Sequence, residues 1–223
     1  MIQLENIEKE YKGNGISTKA LNGVSLKIED GEMVSIIGPS GSGKTTLLNI
    51  IGCMDNVTAG RYFCGDTEVS ALKNSKFEKF RKNNISFVFQ QFALLDDYTV
   101  YENVELPLRV KNLPKKERKR RIREILGKFG IAELEKKYPT QISGGQQQRC
   151  AIARAVAAGT DIILADEPTG ALDGATGQEI MEILKELNKE GKTVIVVTHD
   201  LNIAGQTERT IQIKDGKIVG CEI

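Results

Sequence analysis

The sequence predicts an α/β protein with a mainly parallel core sheet, an antiparallel β subdomain and an inserted α-helical subdomain. Short apolar stretches typical of buried strands alternate with helical stretches, and this alternation favours a parallel sheet. A glycine-rich loop joins one such strand, 33–37, to a helix, 46–51. The segment 92–158 is mostly helical and has no strong strand pattern. We therefore predict one domain, in which 1–91 and 159–223 form the core and 92–158 forms the helical subdomain.

Length and composition are those of a globular protein with a substantial core. The chain has 223 residues, 40% hydrophobic and 27% charged, and domains usually contain about 100–200 residues. Apolar runs stay well below the roughly 18 residues of a membrane-spanning helix, and residues 1–5 lack the pattern of a secretory signal. We expect a cytosolic location. The net charge of +1 gives no reason to expect nucleic acid as a partner.

The cysteine and histidine content does not indicate a metal site. The four cysteines form no C-x-x-C pair, and the one histidine is His199. A zinc site is therefore not expected. Without a sign of export, the cysteines are expected to be reduced thiols.

The region before the glycine loop predicts antiparallel strands. Residues 3–7 and 25–28 alternate between apolar and polar, and short strands are predicted at 61–64 and 67–69. Tyr11 lies in a polar, glycine-containing segment. Its ring could stack on an adenine base, or it could cover a strand edge as a surface tyrosine. The residues around it leave both interpretations open.

The glycine loop has the pattern G-x-x-x-x-G-K-[ST], which is typical of phosphate binding. Glycines let successive main-chain amides point at one ligand, and the following helix adds its positive N-terminal end. Lys44 is expected to reach the β- and γ-phosphates of a nucleotide, and the Thr45 hydroxyl to ligate Mg²⁺. The alternative is a glycine-rich turn that binds nothing. The predicted nucleotide contacts are Gly38, Ser40, Gly41, Ser42, Gly43, Lys44, Thr45 and Thr46.

Polar side chains follow three further apolar stretches, each typical of a buried strand. The strands are 85–89, 161–165 and 193–197, and the residues that follow them are Gln90 and Gln91, Asp166 and Glu167, and Thr198, His199 and Asp200. Ligands bind at the carboxyl ends of parallel strands, although polar residues there are also common without function. Two adjacent buried carboxylates need compensating positive charge, which a magnesium–nucleotide complex would supply. Asp166 suits the metal, and Glu167 suits a water molecule.

The remaining segments predict supporting elements. The basic run 115–121 could indicate nucleic-acid binding. Apolar residues recur at helical spacing in 122–129, so we prefer an amphipathic helix with a solvated basic face. A crossover helix is predicted at about 176–190, and a closing hairpin at 210–213 and 218–221.

The segment Gln-Ile-Ser-Gly-Gly-Gln-Gln-Gln-Arg at 141–149, together with the glycine loop, resembles the signature sequence of ATP-binding cassette (ABC) ATPases. A lone Ser-Gly-Gly would fit a plain helix start equally well. The ordered set of motifs is specific and covers essentially the whole chain: the phosphate loop, Gln90, the signature, Asp166-Glu167, Ala171-Leu172-Asp173 and His199. The resemblance implies a P-loop NTPase (RecA-like) core that binds and hydrolyses ATP with Mg²⁺.

The resemblance also implies a role for each matched residue. Two subunits would face head to tail as an ATP-dependent homodimer, with each ATP held by the phosphate loop of one subunit and by Ser143 and Gly145 of the other. Glu167 would be the general base, and His199 would contact the γ-phosphate. The other implied assignments are Gly144 and Gln146 in the signature, Tyr11 as the adenine-stacking ring, Asp173 as the link between the two sites, Lys44 at the phosphates, and Thr45, Gln90 and Asp166 around magnesium and water.

Segments that resemble the MacB/LolD group of ABC ATPases are 87–92, 102–108 and 165–173. That group includes macrolide and peptide exporters and lipoprotein-release systems. The resemblance therefore implies a bacterial subunit on the inner face of the cell membrane, attached to a separate integral membrane permease. The permease is expected to dock near 90–104, where large apolar side chains follow a strand end. Two residues depart from the pattern: Ile142 replaces a leucine, and Gly174 replaces a serine whose loss could weaken a helix cap.

Three other functions compete with transport. A regulatory cassette of the cell-division type, similar to FtsE, would drive a periplasmic enzyme rather than move a substrate, and this sequence barely separates the two. A soluble cassette acting on nucleic acid or ribosomes would usually carry tandem cassettes or large insertions, which this sequence does not contain. A small-molecule kinase is disfavoured by the signature segment and the helical subdomain before Asp166.

Overall fold

An antiparallel sheet begins the chain in the computed structural model, which describes residues 1–13 and 16–222. Its strands are β1 (Ile2–Gly13), β2 (Ile16–Ile28), β4 (Ala59–Cys64) and β5 (Thr67–Glu68). They lie in the order β2-β1-β4-β5. The hairpin of β1 and β2 pairs Ile2 with Ile28 at one end and Tyr11 with Thr18 near the other. This sheet is the predicted antiparallel part of the fold.

A second, mainly parallel sheet forms the centre of the molecule. Its strands are β3 (Met33–Ile37), β6 (Ile85–Phe89), β7 (Ile162–Asp166), β8 (Thr193–Val197), β9 (Arg209–Lys214) and β10 (Lys217–Glu222). Their order is β10-β9-β3-β8-β7-β6, and every neighbouring pair is parallel except the β9–β10 hairpin. The predicted α/β class and the closing hairpin are thereby confirmed.

Helices cover both faces of the parallel sheet. They are α1 (Lys44–Ile51), α2 (Asn74–Asn84), α3 (Val100–Val110), α4 (Lys115–Lys128), α5 (Gly144–Ala157), α6 (Gly174–Lys189) and the short α7 (Leu201–Ala204). One apolar cluster holds α1, the antiparallel sheet and residues such as Val34 and Ile36 of β3. The other holds α3 to α6 and residues such as Val194 and Val196 of β8. Burial on both faces explains why these strands are continuous apolar runs.

The helical segment shares its core with the parallel sheet. Val104 of α3 and Ile122 of α4 belong to the same buried cluster as Val88 and Ile163 of the sheet. The predicted amphipathic helix is confirmed as α4, in which Ile122 and Leu126 are buried. None of the helices in the described residues is long and apolar enough to cross a membrane. All four cysteines are free thiols, and burial raises the pKa of Cys53 and Cys150 to about 12.

The first hairpin is longer than the sequence predicts. Strands were expected only at 3–7 and 25–28, whereas β1 continues through Tyr11. The pairing register shifts between Leu4 and Ile7, between Ile7 and Glu8, and between Lys9 and Glu10. Such bulges break the strict alternation of apolar and polar residues on which a sequence-based assignment depends. The polar far end of the hairpin therefore resembles a loop in sequence.

Gly52 lies at the end of α1, where the helix meets the central sheet. A Cβ atom on Gly52 would lie 2.0 Å from Cζ of Phe87 and 2.9 Å from Cδ1 of Leu164. We expect Gly52→Ala to lower the free energy of unfolding by about 1–3 kcal/mol, because the Phe87 ring would have to move. Urea unfolding followed by circular dichroism measures the change.

Gly127→Ala in α4 is the matched control. A Cβ atom on Gly127 would meet nothing within 4 Å, so this substitution should be neutral or should stabilise the helix by up to about 1 kcal/mol. Equal destabilisation by the two substitutions would contradict the packing argument for Gly52.

Candidate active site

A cavity of about 580 Å³ opens at the carboxyl ends of β3, β6, β7 and β8. It is lined by the glycine loop from Ser40 to Thr46 and by Gln90, Asp166 and Glu167. These residues are far apart in sequence and belong to different strands. The structure thus brings together most of the residues that the sequence predicts for the phosphates and the metal.

The glycine loop is held by close backbone contacts that leave no room for side chains. A Cβ atom on Gly43, whose φ is 103°, would lie 2.6 Å from the carbonyl oxygen of Ala20. A Cβ atom on Gly38 would lie 2.1 Å from the carbonyl oxygen of Ile213. Lys44 folds back over the loop, where its Nζ donates to the carbonyl oxygens of Gly38 at 2.8 Å and Pro39 at 2.9 Å. A polyphosphate would give this ammonium group stronger, charged acceptors.

The Ser42 hydroxyl is a buried polar group of the same loop. Ser42 is 3% exposed, and its Oγ has no hydrogen-bond partner in the described residues. A buried hydroxyl without a partner is costly. Together with the loop amides, it fits a ligand that brings oxygen acceptors into the cavity.

Three oxygen-bearing side chains of the cavity match the donors that Mg²⁺ prefers. They are the Thr45 hydroxyl, the Gln90 amide and the Asp166 carboxylate. Burial, followed by the neighbouring charge of Glu167, raises the pKa of Asp166, and Lys44 opposes the rise. A cation at this carboxylate would offset both unfavourable effects, so the residues present fit a magnesium ion bound with a nucleotide.

Glu167 is oriented by its backbone and by two side-chain contacts. Its φ of 48° is left-handed, and its backbone N donates to Val197 at 2.9 Å. Its Oε1 lies 2.7 Å from His199 Nδ1, and its Oε2 accepts a hydrogen bond from the Thr198 hydroxyl at 3.3 Å. A left-handed non-glycine residue costs about 1–3 kcal/mol, and such residues cluster at functional sites. The carboxylate is therefore held at the cavity wall beside Asp166.

Gln90 lines the cavity and lies against the backbone of Gly170, where a Cβ atom would be 2.8 Å from Gln90 Nε2. Phe92 and Ala93, just after it, both have left-handed φ values of 59° and 50°. Arg154 of α5 fixes this turn, since its guanidinium donates to the carbonyl oxygens of Ala93 at 2.6 Å and Phe92 at 3.1 Å. The sequence analysis missed this role of Arg154.

Gln148 of α5 is a second functional residue that the sequence analysis missed. It is fully buried, and its Nε2 donates to the carbonyl oxygens of Pro168 at 2.6 Å and Phe89 at 3.4 Å. It therefore joins the end of β6 to the segment that follows Glu167. A signal was available, because Gln148 shares the helical spacing of the buried residues Ala151, Ile152 and Ala155.

Tyr11 lies in β1, near the cavity but not among the residues that line it. Tyr11 is 43% exposed, and its hydroxyl donates to Asp55 Oδ2 at 2.8 Å. Nearby cavity residues that the sequence analysis did not single out are Thr18, Lys19, Ala20, Asp215 and Gly216. They come from β2 and from the β9–β10 turn, which the hairpin pairing brings to the loop.

The signature residues lie apart from this cavity. Ser143 caps α5 and forms reciprocal hydrogen bonds with Gln146, at 3.3 Å and 2.9 Å. The backbones of Gly144 and Gly145 pack against Leu172 and Thr176. Ser143, Gly144, Gly145 and Gln146 are all described, and none of them lines the cavity. One copy of the chain therefore presents two separate candidate surfaces.

Asp173 lies beside the signature residues and caps α6. Its Oδ1 accepts from Thr176 N at 3.0 Å, and its Oδ2 accepts from the Thr176 hydroxyl at 2.7 Å. These hydrogen bonds, led by the one from Thr176 N, lower the pKa of Asp173. Gly174 is the first residue of α6 and not its cap, so glycine at this position leaves the cap intact. Ile142 is half-buried against the helical core.

A sequence profile of the ABC transporter family matches residues 21–170. The chain belongs to the ABC transporter family. It is an ATP-binding cassette with the P-loop fold, and the predicted family, fold class and ATPase activity are confirmed.

The sequence of this cassette is similar to those of several members of the ABC family. It is 51% identical to the ABC transporter ATP-binding protein MJ0796 of Methanocaldococcus jannaschii, with 98% of this chain and 95% of that protein covered. It is 45% identical to the macrolide export ATP-binding/permease protein MacB of Shigella flexneri, again over 98% of this chain. The cassette spans only 34% of that MacB chain.

Solved ABC cassettes have the same fold. A dimeric structure of MJ0796 in a post-hydrolysis state, bound to ADP and Pi, matches with a TM-score of 0.92 and 48% identity, covering 100% of this chain and 98% of that one. The cbiO1 protein of Clostridium perfringens, part of the ABC transporter complex cbiONQ, matches with a TM-score of 0.90 and 29% identity. That match covers 99% of this chain and 87% of the cbiO1 chain.

The contact between His199 and Glu167 predicts a shifted histidine titration. The hydrogen bond that the His199 ring donates to Glu167, and the negative charge of that carboxylate, raise the pKa of His199 above its ordinary value of 6.5. The pair is therefore complete below pH 6.5 and is lost as the pH rises through the raised pKa. Because the chain has one histidine, NMR titration of its ring protons reports this group alone.

Glu167→Gln should lower the pKa of His199 towards the ordinary value, since the charge is removed while a hydrogen-bonding side chain of the same size remains. Asp161→Asn is a control at an exposed carboxylate that pairs with Lys192 instead. An unchanged titration in Glu167→Gln would show that the two side chains are not paired in solution.

Proposed function

We propose that this ABC cassette binds ATP with magnesium as a head-to-tail homodimer and drives a separate MacB/LolD-type permease that exports or extracts peptides, antibiotics or lipoproteins. The cassette would lie in the cytoplasm on the inner face of the cell membrane, bound to that permease. The observation that carries the proposal is the separation of two surfaces in one chain. The phosphate loop, Gln90, Asp166 and Glu167 surround the cavity, whereas Ser143 and Gly145 lie outside it.

The chain's own residues supply the steps of the proposed hydrolysis. The loop amides, Ser42 and Lys44 would bind the phosphates, and magnesium held by Thr45, Gln90 and Asp166 would neutralise phosphate charge. Glu167 would take the proton of the attacking water as general base, because its carboxylate is already fixed at the cavity wall by Thr198 and His199.

The second copy would complete the site at the γ-phosphate. Ser143 and the amides of Gly144 and Gly145 lie at the N-terminus of α5, which favours an anion. Asp173 lies beside them and would link the two sites across the interface. The relative MJ0796 forms a dimer with ADP and Pi, which supports this arrangement for the present chain.

A cleft between the core and the helical segment is the proposed permease contact. It has a volume of about 360 Å³, and the apolar residues that line it are Met54, Ile85, Phe87, Phe89, Pro107, Val110 and Ala158. Arg81, Lys82 and Lys111 also line it. An apolar cleft with charged residues beside it is typical of a protein contact. It adjoins Gln90 through β6 and lies on α2 and α3, beside the segment 90–104 expected from the sequence.

The identity to MacB supports a transport function, and the FtsE-like regulatory function is the alternative. The two differ in the membrane partner, so purification of the native complex from membranes distinguishes them. A permease with a large extracytoplasmic domain supports export or extraction, whereas an FtsX-like protein supports the division function.

Glu167→Gln tests the catalytic proposal. Removal of the base should lower ATP turnover by about 10²-fold or more while ATP binding persists, so ATP should trap a dimer that size-exclusion chromatography detects. Adding Ser143→Arg should abolish this dimer without loss of ATP binding, since a bulky cation would fill the place of the partner's γ-phosphate. Near-normal turnover in Glu167→Gln would remove Glu167 from the catalytic role.

Two controls accompany this experiment. Ser143→Ala removes the α5 cap, at a cost of about 1 kcal/mol, without adding bulk, so it should weaken the dimer less than Ser143→Arg. Lys44→Ala should fail at ATP binding itself. Equal loss of monomeric ATP affinity in Lys44→Ala and Ser143→Arg would contradict a site shared between two copies.

Val110→Glu tests the permease contact. Val110 is 54% exposed at the cleft, so a carboxylate is tolerated by the free subunit but would be desolvated beneath a partner. We expect normal ATP binding and loss of co-purification with the permease. Val219→Glu, at a valine that is 56% exposed on β10, is the control. If both variants retain the permease, the contact lies elsewhere.

A further inference from the structure

Three polar side chains form a connected group beside the candidate active site. Lys9 Nζ lies 2.6 Å from Asp55 Oδ1, and the Tyr11 hydroxyl donates to Asp55 Oδ2 at 2.8 Å. The Lys9 ammonium also lies 4.9 Å from the centroid of the Tyr11 ring. One carboxylate therefore binds both the cation and the ring that the cation faces.

Burial shows that this group is built into the fold. Lys9 is only 9% exposed, and a buried ammonium needs close partners. Asp55 and the carbonyl oxygen of Asn56, at 2.7 Å, supply them. Asp55 is itself held to α1, because its backbone N donates to the Asn49 carbonyl at 3.3 Å.

The Tyr11 ring keeps one face available. The ammonium of Lys9 faces the ring, yet Tyr11 as a whole is 43% exposed. Tyr11 pairs across the hairpin with Thr18, which lines the active-site cavity. Burial and the carboxylate of Asp55 raise the pKa of the Tyr11 hydroxyl, which donates its hydrogen bond to that carboxylate. The partly exposed ring therefore lies beside the cavity that holds the phosphate loop.

We propose that Lys9 and Asp55 are positioning residues that hold Tyr11 as a stacking platform for the purine base of the nucleotide. The inference rests on the proposed function, since it concerns the base of the same ATP. A cation on one face of an aromatic ring draws electron density towards itself, which favours an electron-rich purine on the other face. The carboxylate of Asp55 fixes the ring in its plane by holding the hydroxyl.

The hairpin geometry explains how β1 delivers these side chains. The register of β1 against β2 shifts between Ile7 and Glu8 and again between Lys9 and Glu10. Bulges bend a hairpin and increase its twist. They lie on both sides of Lys9, and the second one brings the Ala20 carbonyl against Gly43 of the phosphate loop. The platform and the phosphate loop are thus set in one rigid arrangement.

The proposal makes a distinction between two ligands. ATP carries a base, whereas inorganic triphosphate offers the same phosphates without one. Loss of the Tyr11 ring should lower the affinity for ATP by the contribution of one stacked base, which is about 5- to 150-fold. Lys9→Met should lower the affinity for ATP by about 2- to 5-fold. Tyr11→Phe and Asp55→Ala should each lower it by about 3- to 10-fold. The affinity for triphosphate should not change in any of them.

The test is isothermal titration calorimetry of the full chain with ATP and with inorganic triphosphate, each in the presence of Mg²⁺, together with steady-state kinetics. We expect the variants to raise the KM for ATP at unchanged kcat. Lys27→Met is the matched control, because Lys27 is an exposed lysine of the same sheet whose partner is Glu29. It should leave both affinities at the wild-type value.

Other outcomes overturn the inference. Wild-type ATP affinity in Lys9→Met and Tyr11→Phe would show that neither group positions the base. An equal loss for ATP and triphosphate would show that the pair supports the phosphate loop instead of the ring. If Asp55→Ala fails to fold, Tyr11→Phe and Lys9→Met decide the question. A wild-type chain that does not bind ATP overturns the proposed function together with this inference, whereas wild-type ATP binding that the variants leave unchanged overturns this inference alone.

Discussion

The close backbone approach around the glycine loop is the contact on which the rest of the structure depends. Gly43 touches the carbonyl of Ala20 in the antiparallel sheet, and Gly38 touches the carbonyl of Ile213 in the parallel sheet. Gly216 of the closing hairpin also lies against Ala20. Glycine is required because a Cβ atom at any of these positions would overlap a backbone atom. The loop is therefore both the candidate phosphate site and the joint between the two sheets.

The second constraint is the presence of two adjacent carboxylates at the end of β7. The charge of Glu167 is one reason why the pKa of Asp166 is raised, so the pair is unfavourable without a cation. The backbone separates their roles, because the left-handed φ of Glu167 directs its carboxylate to Thr198 and His199. A site that is unfavourable when empty gains more on binding a cation and its nucleotide.

Periodicity predicted the parts of the fold that are buried on both faces. The strands 33–37, 85–89 and 193–197 have the predicted bounds, because continuous burial leaves a continuous apolar run. The motifs likewise predicted Lys44, Gln90, Asp166 and Glu167 around one cavity. The contacts of Asp55 with Tyr11 and of Arg154 with Phe92 could not be predicted, since they join residues 44 and 62 positions apart and depend on packing. The sequence left the role of Tyr11 open, and its structure combines an exposed ring with an anchored hydroxyl.

Helix α5 combines a proposed contact with a second copy and hydrogen bonds to the active-site backbone of its own subunit. Its N-cap residue, Ser143, would meet a second copy, and further along the helix Gln148 and Arg154 hold the backbone after Glu167 and after Gln90. A helix is stiff along its axis, so a displacement imposed on Ser143 moves both hydrogen-bond donors by a similar amount. Each subunit would thereby respond to the occupancy of its partner's site through a displacement of the backbone beside its own catalytic residues. The two sites of a dimer would then hydrolyse ATP in a correlated order and not independently.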